Sequence, residues 1–570
     1  MENSEIASVF FEMADILEMQ NIQWKPVAYR KAARAIDELS DDVEDIYNKG
    51  GLKALEEISG VGIHIANKIE EFLKTGKIQS YEKLKKSIPK GLSLLLKVPG
   101  LGPKKAMILY KKLNIKNVKD LEKAALTHKI SKLASFKEKA EENILKGLKI
   151  FKQGQERTPI AYAMFIAEEI KKALMKKAEK VEIAGSLRRM RDTVKDIDIL
   201  AVSSKPKEII QMFVSLPSVK SVIAKGDTKS SVLLSNNMQA DLRVVPLKSF
   251  GAAMQYFTGS KYHNIKLRKI AMTKKLKLSE YGIFDSKGKQ VAGKTEEEVY
   301  RKLGLSYIEP ELRENTGEIE AALKGKLPKL VSLKDIQGDL HTHSTWSDGN
   351  NTIEEMALAA KGSGYSYIAI TDHSKSEKIA NGLSEKDVLR KLKEIEEVRK
   401  KIKGISILSG TEVNILDDGS LDYSDDLLSK LDVVVAAVHS KFKLSKQEET
   451  ARIIKAISNP HVDIIGHLTT RHFGKREEIE LDINAILVAA KKYNKIIEIN
   501  CAAERMDIRD AYAKSAVEKG VMLCIDTDSH SVDELKQMRF GVGTARRGWC
   551  SKKDVLNTYS LKELMKFLKK

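Results

Sequence analysis

At 570 residues the chain is too long for a single hydrophobic core, and roughly three to five domains are expected. Its 42% apolar content is ordinary for soluble globular protein, and no stretch approaches the ~18 uninterrupted apolar residues of a membrane span. The formal charge of +20 lies almost wholly in the first 335 residues, with 62 basic and 43 acidic side chains, against 37 and 36 in residues 336–570. A polyanion is therefore expected to bind the first part. Histidine is skewed the other way, with eight of eleven beyond residue 340. Cys501, Cys524 and Cys550 lack CxxC spacing, which argues for a reducing compartment and against a disulfide framework or a cysteine zinc site. The opening "MENSEIASVF" is acidic where a secretory leader would be basic, so a cytoplasmic, nucleoid-associated protein is expected.

Two early segments share one pattern. "SGVGIHIANKI" (59–69) aligns with "PGLGPKKAMIL" (99–109), and each opens an amphipathic helix. Gly60 and Gly62, and again Gly100 and Gly102, permit a tight turn whose backbone N–H groups stay exposed at a positive helix end. Phosphate is the natural ligand for such a turn, whatever the base sequence. The pair resembles helix-hairpin-helix motifs that grip a nucleic-acid backbone, with Lys104 and Lys105 beside the second turn. A third segment, "SFKEKAEENIL" (135–145), has Ser135 and Lys137 in place of both glycines and is expected to pack without holding phosphate.

"VEIAGSLRRMRDTVKDIDILAV" (181–202) reads as strand, Gly-Ser turn and second strand. Strand side chains alternate, so Asp196 and Asp198 share a face, where two carboxylates repel unless a cation separates them. Asp241, in "QADLRVVP", lies on another predicted strand able to complete the site. Three carboxylates around two divalent ions suit in-line nucleotidyl transfer, with Ser186 and Arg189 placed to hold outer phosphates.

"GSLRRMRDTVKDIDIL", "ADLRVV" and "YFTGSKYHNIKLR" (256–268) resemble a family X DNA polymerase of the DNA polymerase beta type, over residues 1 to about 315. The resemblance implies that Asp196, Asp198 and Asp241 hold catalytic Mg²⁺ or Mn²⁺, and that Ser186, Arg189 and Arg157 hold the triphosphate. It implies that Tyr256, Phe257 and Gly259 flank the incoming sugar, and that Asn264 and Arg268 lie near the base pair and template strand. Met190 and Lys195 stand where the family has glycine, so an altered loop over the triphosphate is expected, and Gln239 replaces an arginine that helps the third carboxylate. "WKPVAYRKAA" (24–33) and Lys68 resemble the family's small lyase domain, in which an amine attacks the deoxyribose aldehyde. Such an amine needs a lowered pKa, with Lys25 and Arg30 as candidate neighbours, although His64 replaces a second lysine.

After residue 335 short apolar runs recur about every 30 residues, separated by helical stretches such as "EKDVLRKLKEIEEVRKKI". This predicts a parallel β/α barrel of about seven units, with reactive groups at the C-terminal strand ends. His341, His343, Asp348, His373, Glu412, His439, His467, Asp528 and His530 gather at such ends, more ligands than one tetrahedral ion can use. Residues 336–570 resemble the PHP (polymerase and histidinol phosphatase) domain. The resemblance implies two to three Mn²⁺ or Zn²⁺ ions, Glu412 bridging two of them. One also takes His341, His343 and Asp528; its neighbour takes His439 and His467; a third takes Asp348, His373 and His530. His461 and His472 fall outside the pattern and are expected to be structural or surface residues.

The expected architecture is multidomain: an all-α helix-hairpin-helix region, an α+β nucleotidyltransferase palm with a small thumb, and a distorted C-terminal (β/α)7 barrel. Its boundaries are a lyase-like domain at 1–85, a fingers-type DNA-binding domain at 86–152, the palm at 153–247, the thumb at 248–315, a linker at 316–335 and the PHP domain at 336–570. The expected function is short-gap DNA synthesis in repair, joined to a 3′–5′ exonuclease, with 3′-phosphatase, abasic endonuclease and lyase activities as further expectations. Partners are gapped or primer–template DNA and dNTPs, with no membrane, and the chain is expected to act as a monomer. The alternative is nucleotidyl transfer to RNA or another acceptor beside a merely structural PHP domain.

Overall fold

Two of the glycines that mark the early repeats, Gly62 and Gly102, stand at helix starts. The computed structural model describes residues 3–37, 39, 43–89, 92–96, 98, 101–133, 136, 139–145, 148 and 157–568. Helices Asn3–Met19, Lys25–Asp37, Val43–Glu56, Ile63–Thr75 (α1) and Gln79–Lys86 enclose a core around Phe10, Ile36, Leu55 and Ile69. A second core around Leu95, Leu109 and Leu121 is built by Leu92–Leu95, Pro103–Leu113 (α2) and Val118–Leu126. Gly62 precedes α1 and Gly102 precedes α2, both in extended conformation and neither with a side-chain cap. First-turn N–H groups are thereby left for another acceptor. Gly100, Ser135 and Lys137 lie outside the described residues. Residues 1–157, 217–226 and 232–239 form one unit, and residues 158–216, 227–231 and 240–570 form another.

In the second unit the predicted strand–turn–strand is present. Strands β1 (Lys180–Ile183) and β2 (Asp196–Val202) pair antiparallel, and β3 (Gln239–Val245) lies beside β2. Helices α3 (Phe250–Thr258) and α4 (Lys261–Thr273) follow, then a three-stranded antiparallel sheet and helix Glu296–Lys302. Their core around Leu267, Tyr300 and Ile308 also takes Ile319 and Ala322, from a helix, Glu318–Leu323, inside the expected linker. Val331, further along, is buried in the barrel's core and donates its N–H to the Cys550 carbonyl at 3.0 Å. The connecting segment is therefore packed into the domains on both sides of it.

The barrel strands are β4 (Gly338–Thr342), β5 (Tyr367–Ile370), β6 (Ser406–Asn414), β7 (Val433–Ala437), β8 (Ile464–Ile465), β9 (Ile496–Asn500) and β10 (Leu523–Asp526). They pair in sequence order, all parallel. The ring nearly closes, since Thr342 bridges Ser529 and the Leu340 N–H donates to Asp526 Oδ1 at 2.8 Å. Alternation splits each strand between two cores. Tyr367, Val433, Val435 and Ile464 join an inner cluster, while Ile368, Val434 and Ile465 join the layer that includes helix residues such as Ile395 and Ile453.

Charge is also buried in this unit. Arg313, fully buried, holds Glu296 Oε1 at 2.6 Å, and Arg188 donates to both oxygens of the same carboxylate at 3.0 and 2.5 Å. Burial opposes ionisation, but Arg313 and Arg188 outweigh it and hold the Glu296 carboxyl at about 2. Its contribution to stability is thus present above the ordinary carboxylate pKa and is lost as pH falls towards 2. Glu296→Ala leaves two guanidinium groups without this partner and should destabilise the second unit by about 3–5 kcal/mol, read by denaturant unfolding of the full chain.

Candidate functional site

All nine predicted barrel ligands lie at the C-terminal ends of strands or in the loops that leave them. Among the described residues, three groups could each hold an ion, with ligand atoms within 4.8 Å of one another: His343, Asp348, His373 and His530; His341, His343, Glu412 and Asp528; and His373, Glu412 and His439. Glu412 belongs to two of them. The second group has the same members as one expected set, the first is the expected Asp348, His373 and His530 with His343 added, and the third has His373 where His467 was expected. His467 lies outside the third group but sets Nε2 2.8 Å from Glu412 Oε1, as His439 does at 3.0 Å.

These residues suit cations on a structural criterion. His341 Nε2, His343 Nδ1, Asp348 Oδ1, His373 Nδ1, Glu412 Oε2, His439 Nε2 and His467 Nδ1 are buried without hydrogen bonds. Polar atoms removed from water and left unbonded cost too much to gather in one pocket without ligands to meet them. His467 and Asp528 also adopt positive φ, +24° and +53°, so backbone strain is held at two of the nine ligands.

The opposite ring atoms are fixed from behind. His341 Nδ1 lies 2.6 Å from Glu498 Oε1, and the other oxygen of Glu498 accepts the His467 N–H at 2.6 Å. His439 Nδ1 meets Asn414 Oδ1 at 2.5 Å, and Asn500 donates to Asp528 Oδ2 at 3.1 Å. Buried Lys391 holds Asp372 Oδ2 at 3.2 Å, while Asp372 Oδ1 accepts from Ser344 N–H and Ser347 Oγ at 2.8 Å, so the loop bearing Asp348 is held too. Sequence reasoning missed Glu498, although an acid inside the apolar run "IIEIN" was itself a signal. Asn414, Asn500 and Lys391 had none.

Burial, together with His530 and His373, brings His343 down to about 4, and burial with Arg505 does the same for His467. Both imidazoles are neutral, as ligation needs. Burial opposes charging of His530, but the Asp348 carboxylate 3.3 Å away and the charge of Asp528 raise it to about 9. Asp348, despite burial, is held at about 2 by His530, His373 and His343.

In the palm, β2 presents Asp196 and Asp198 on one face. Gly185 has φ +64°, and a Cβ there would lie 2.0 Å from Asp198 Oδ2, so glycine alone lets the turn approach this carboxylate. Burial, then Asp196 and Asp241, pushes Asp198 up to about 7 against the pull of Arg243 and Arg189. Asp196 and Asp241 thus both act on Asp198, a crowding of like charge that a cation would relieve. Asp241 Oδ1 also accepts from the Ser231 hydroxyl.

Ser186 lies in a short helix, Gly185–Arg188, at this turn. Arg189 donates through Nε to Glu314 Oε1 at 2.9 Å and also to the Thr258 carbonyl. Tyr256 and Phe257 form an edge-on pair at 4.9 Å, and Gly259 follows with φ +71°. Asn264 is buried and donates to the Tyr256 carbonyl at 2.7 Å, which fixes the end of α3. Arg268 is half-buried on α4, and Arg157 is exposed. In the first unit, Lys68 reaches the His64 carbonyl at 3.5 Å, whereas Arg30 is bound by Asp15 and Glu18 at 2.6 and 2.5 Å. A guanidinium so neutralised is a poor source of the field that would lower a lysine pKa.

His461 and His472 stand outside the metal-holding groups. A cavity of about 600 Å³ opens at the N-terminal ends of β8 and β9, lined by residues including Asp463, Ile496 and Tyr559, and contains none of the nine ligands.

Residues 1–78 match a helix-hairpin-helix domain, 92–149 a SAM-like helix-hairpin-helix tandem, 253–314 the DNA polymerase beta thumb, and 339–502 the PHP domain. Over its whole length, and the whole of the relative, the chain is 40% identical to a protein of Bacillus subtilis (strain 168) named DNA polymerase/3′-5′ exonuclease PolX. A probable phosphatase of Thermoanaerobacter sp. (strain X514) is 36% identical over 39% of this chain and 89% of its own length. Another, of Caldanaerobacter subterraneus, is 37% identical over 34% of this chain and 75% of its own.

Glu498→Gln removes the carboxylate behind His341 and should weaken metal binding about 10–100-fold, measured by competition with a metal chelator. Loading the site at Asp348, His373 and His530 must displace the His530 proton. Apparent affinity should therefore rise with pH up to about 9, with proton release seen by titration calorimetry in buffers of different ionisation enthalpy.

Proposed function

The chain belongs to the family X DNA polymerases that carry a C-terminal PHP domain, and from that premise we propose a DNA-directed DNA polymerase and 3′–5′ exonuclease that fills short gaps in repair. The observation that carries this reading is the set of imidazole–carboxylate groups at the barrel mouth, together with Asp196 and Asp198 on palm strand β2 and Asp241 acting on Asp198 from β3. Divalent ions, Mg²⁺ or Mn²⁺ in the palm and two to three Mn²⁺ or Zn²⁺ in the barrel, supply oxygen activation and charge neutralisation at phosphorus when bound.

The chain's own residues do the rest. Asp196, Asp198 and Asp241 would hold the palm ions, and Ser186 with its turn would meet the triphosphate beside them. Tyr256, Phe257 and Gly259 would flank the sugar. The uncapped starts of α1 and α2, with Lys104 and Lys105, offer N–H groups and positive charge to the DNA backbone. In the barrel, Glu412 would bridge ions while Glu498 and Asn414 orient His341 and His439. A 3′-phosphatase activity is a second reading, favoured by the relatives of the barrel that are named probable phosphatases.

A gapped primer–template separates the two activities. Asp198→Ala should abolish extension and leave degradation, whereas His341→Ala should do the reverse. Loss of both activities in either variant would contradict the reading.

A further inference from the structure

Helix α5 (Met538–Arg547) of the barrel domain carries two glycines two positions apart, in "FGVGTARR". At 100° per residue they face nearly opposite sides of the helix. A Cβ at Gly541 would come 2.2 Å from Cys501 Sγ, just after β9, and one at Gly543 would come 2.6 Å from Met190, in the palm turn. The helix is therefore inserted between the barrel and the segment that joins Ser186 to Asp196.

Side chains of the barrel domain seize that same segment. Arg547, only 4% exposed, donates through Nη1 to the Arg189 carbonyl and to Glu314 Oε1, each at 3.0 Å, and is braced from behind by Asp510. Glu314 in turn holds Arg189 Nε at 2.9 Å. Arg471, 5% exposed, pairs with Asp192 Oδ2 at 2.9 Å and anchors itself on the carbonyls of Arg505 and Met506. Residues 189, 190 and 192 thus take their positions from the barrel domain, and Met190 does so with φ +52°.

The geometry points to Arg547 and Arg471 as positioning residues for nucleotide binding in the palm, a role that rests on the polymerase reading above. They touch no reacting atom. They set the 189–192 turn so that Ser186 and the β2 carboxylates face one triphosphate. The departure of Met190 from glycine then has a physical role, because its side chain is the surface on which Gly543 rests.

The test uses the full chain and single-nucleotide incorporation on a primed template. Arg547→Ala should raise KM for dNTP about tenfold with kcat changed less than about threefold, the pattern of a lost interaction that holds ground state and transition state alike. Hydrolysis of bis(p-nitrophenyl) phosphate at the barrel should be unchanged, and Arg547→Lys should recover much of the KM. Gly543→Ala should also raise KM, and Met190→Gly in the same chain should reverse it. An unchanged KM, or a parallel fall of both activities with Tm, overturns the proposal. If Arg547→Ala melts below the assay temperature, Arg547→Gln replaces it, and an unchanged KM in that variant overturns the proposal equally. Failure of the unmodified chain to extend any primer would instead sink the polymerase reading itself.

Discussion

Charged groups taken out of water must meet opposite charge or give up their ionisation, and this requirement organises the second unit. At the barrel mouth, imidazoles and carboxylates are packed with buried, unbonded atoms turned towards one another. On palm strand β2, Asp198 is driven up to about 7 by burial and by its acidic neighbours. Both arrangements gather groups whose charge bound cations would balance. The energy that would make such clusters unfavourable in isolation becomes affinity for metal ions once these are supplied.

Elsewhere the same requirement is met by protein groups. Glu296 is enclosed by Arg188 and Arg313, and Glu314 by Arg189 and Arg547. Buried ion pairs add little net stability, because desolvation consumes most of the attraction. Their value lies in direction: a guanidinium fork accepts few geometries, so each pair fixes the segment that bears it. Here the segment is the palm turn. The barrel domain supplies part of its support, so the polymerase half takes structure from the half that hydrolyses.

Much of the chemistry was legible in the linear sequence, for reasons tied to particular residues. Alternation along "DIDILAV" is enough to put Asp196 and Asp198 on one face. Ligand-type residues at the ends of apolar runs located the barrel site because parallel β/α units bring those ends together. The buried orienting groups were harder to see. Glu498 was visible only as an acid in an apolar run, and Asn414, Lys391 and Arg547 look like ordinary polar residues until their partners are known. The segment 316–335 reads as a linker because it stands between the two recognised halves, yet Ile319, Ala322 and Val331 are buried.

Local patterns along the chain suffice to mark which residue types could hold cations and phosphate, and the order of the units that present them, because strand and helix periodicities are local. That His343 stands in two of the ligand groups, what Arg189 is bound to, and the lodging of α5 against Met190 emerge from the tertiary structure alone. These depend on contacts between residues hundreds of positions apart, such as Asp192 with Arg471 and Arg189 with Arg547, and no local pattern encodes a distance across the fold.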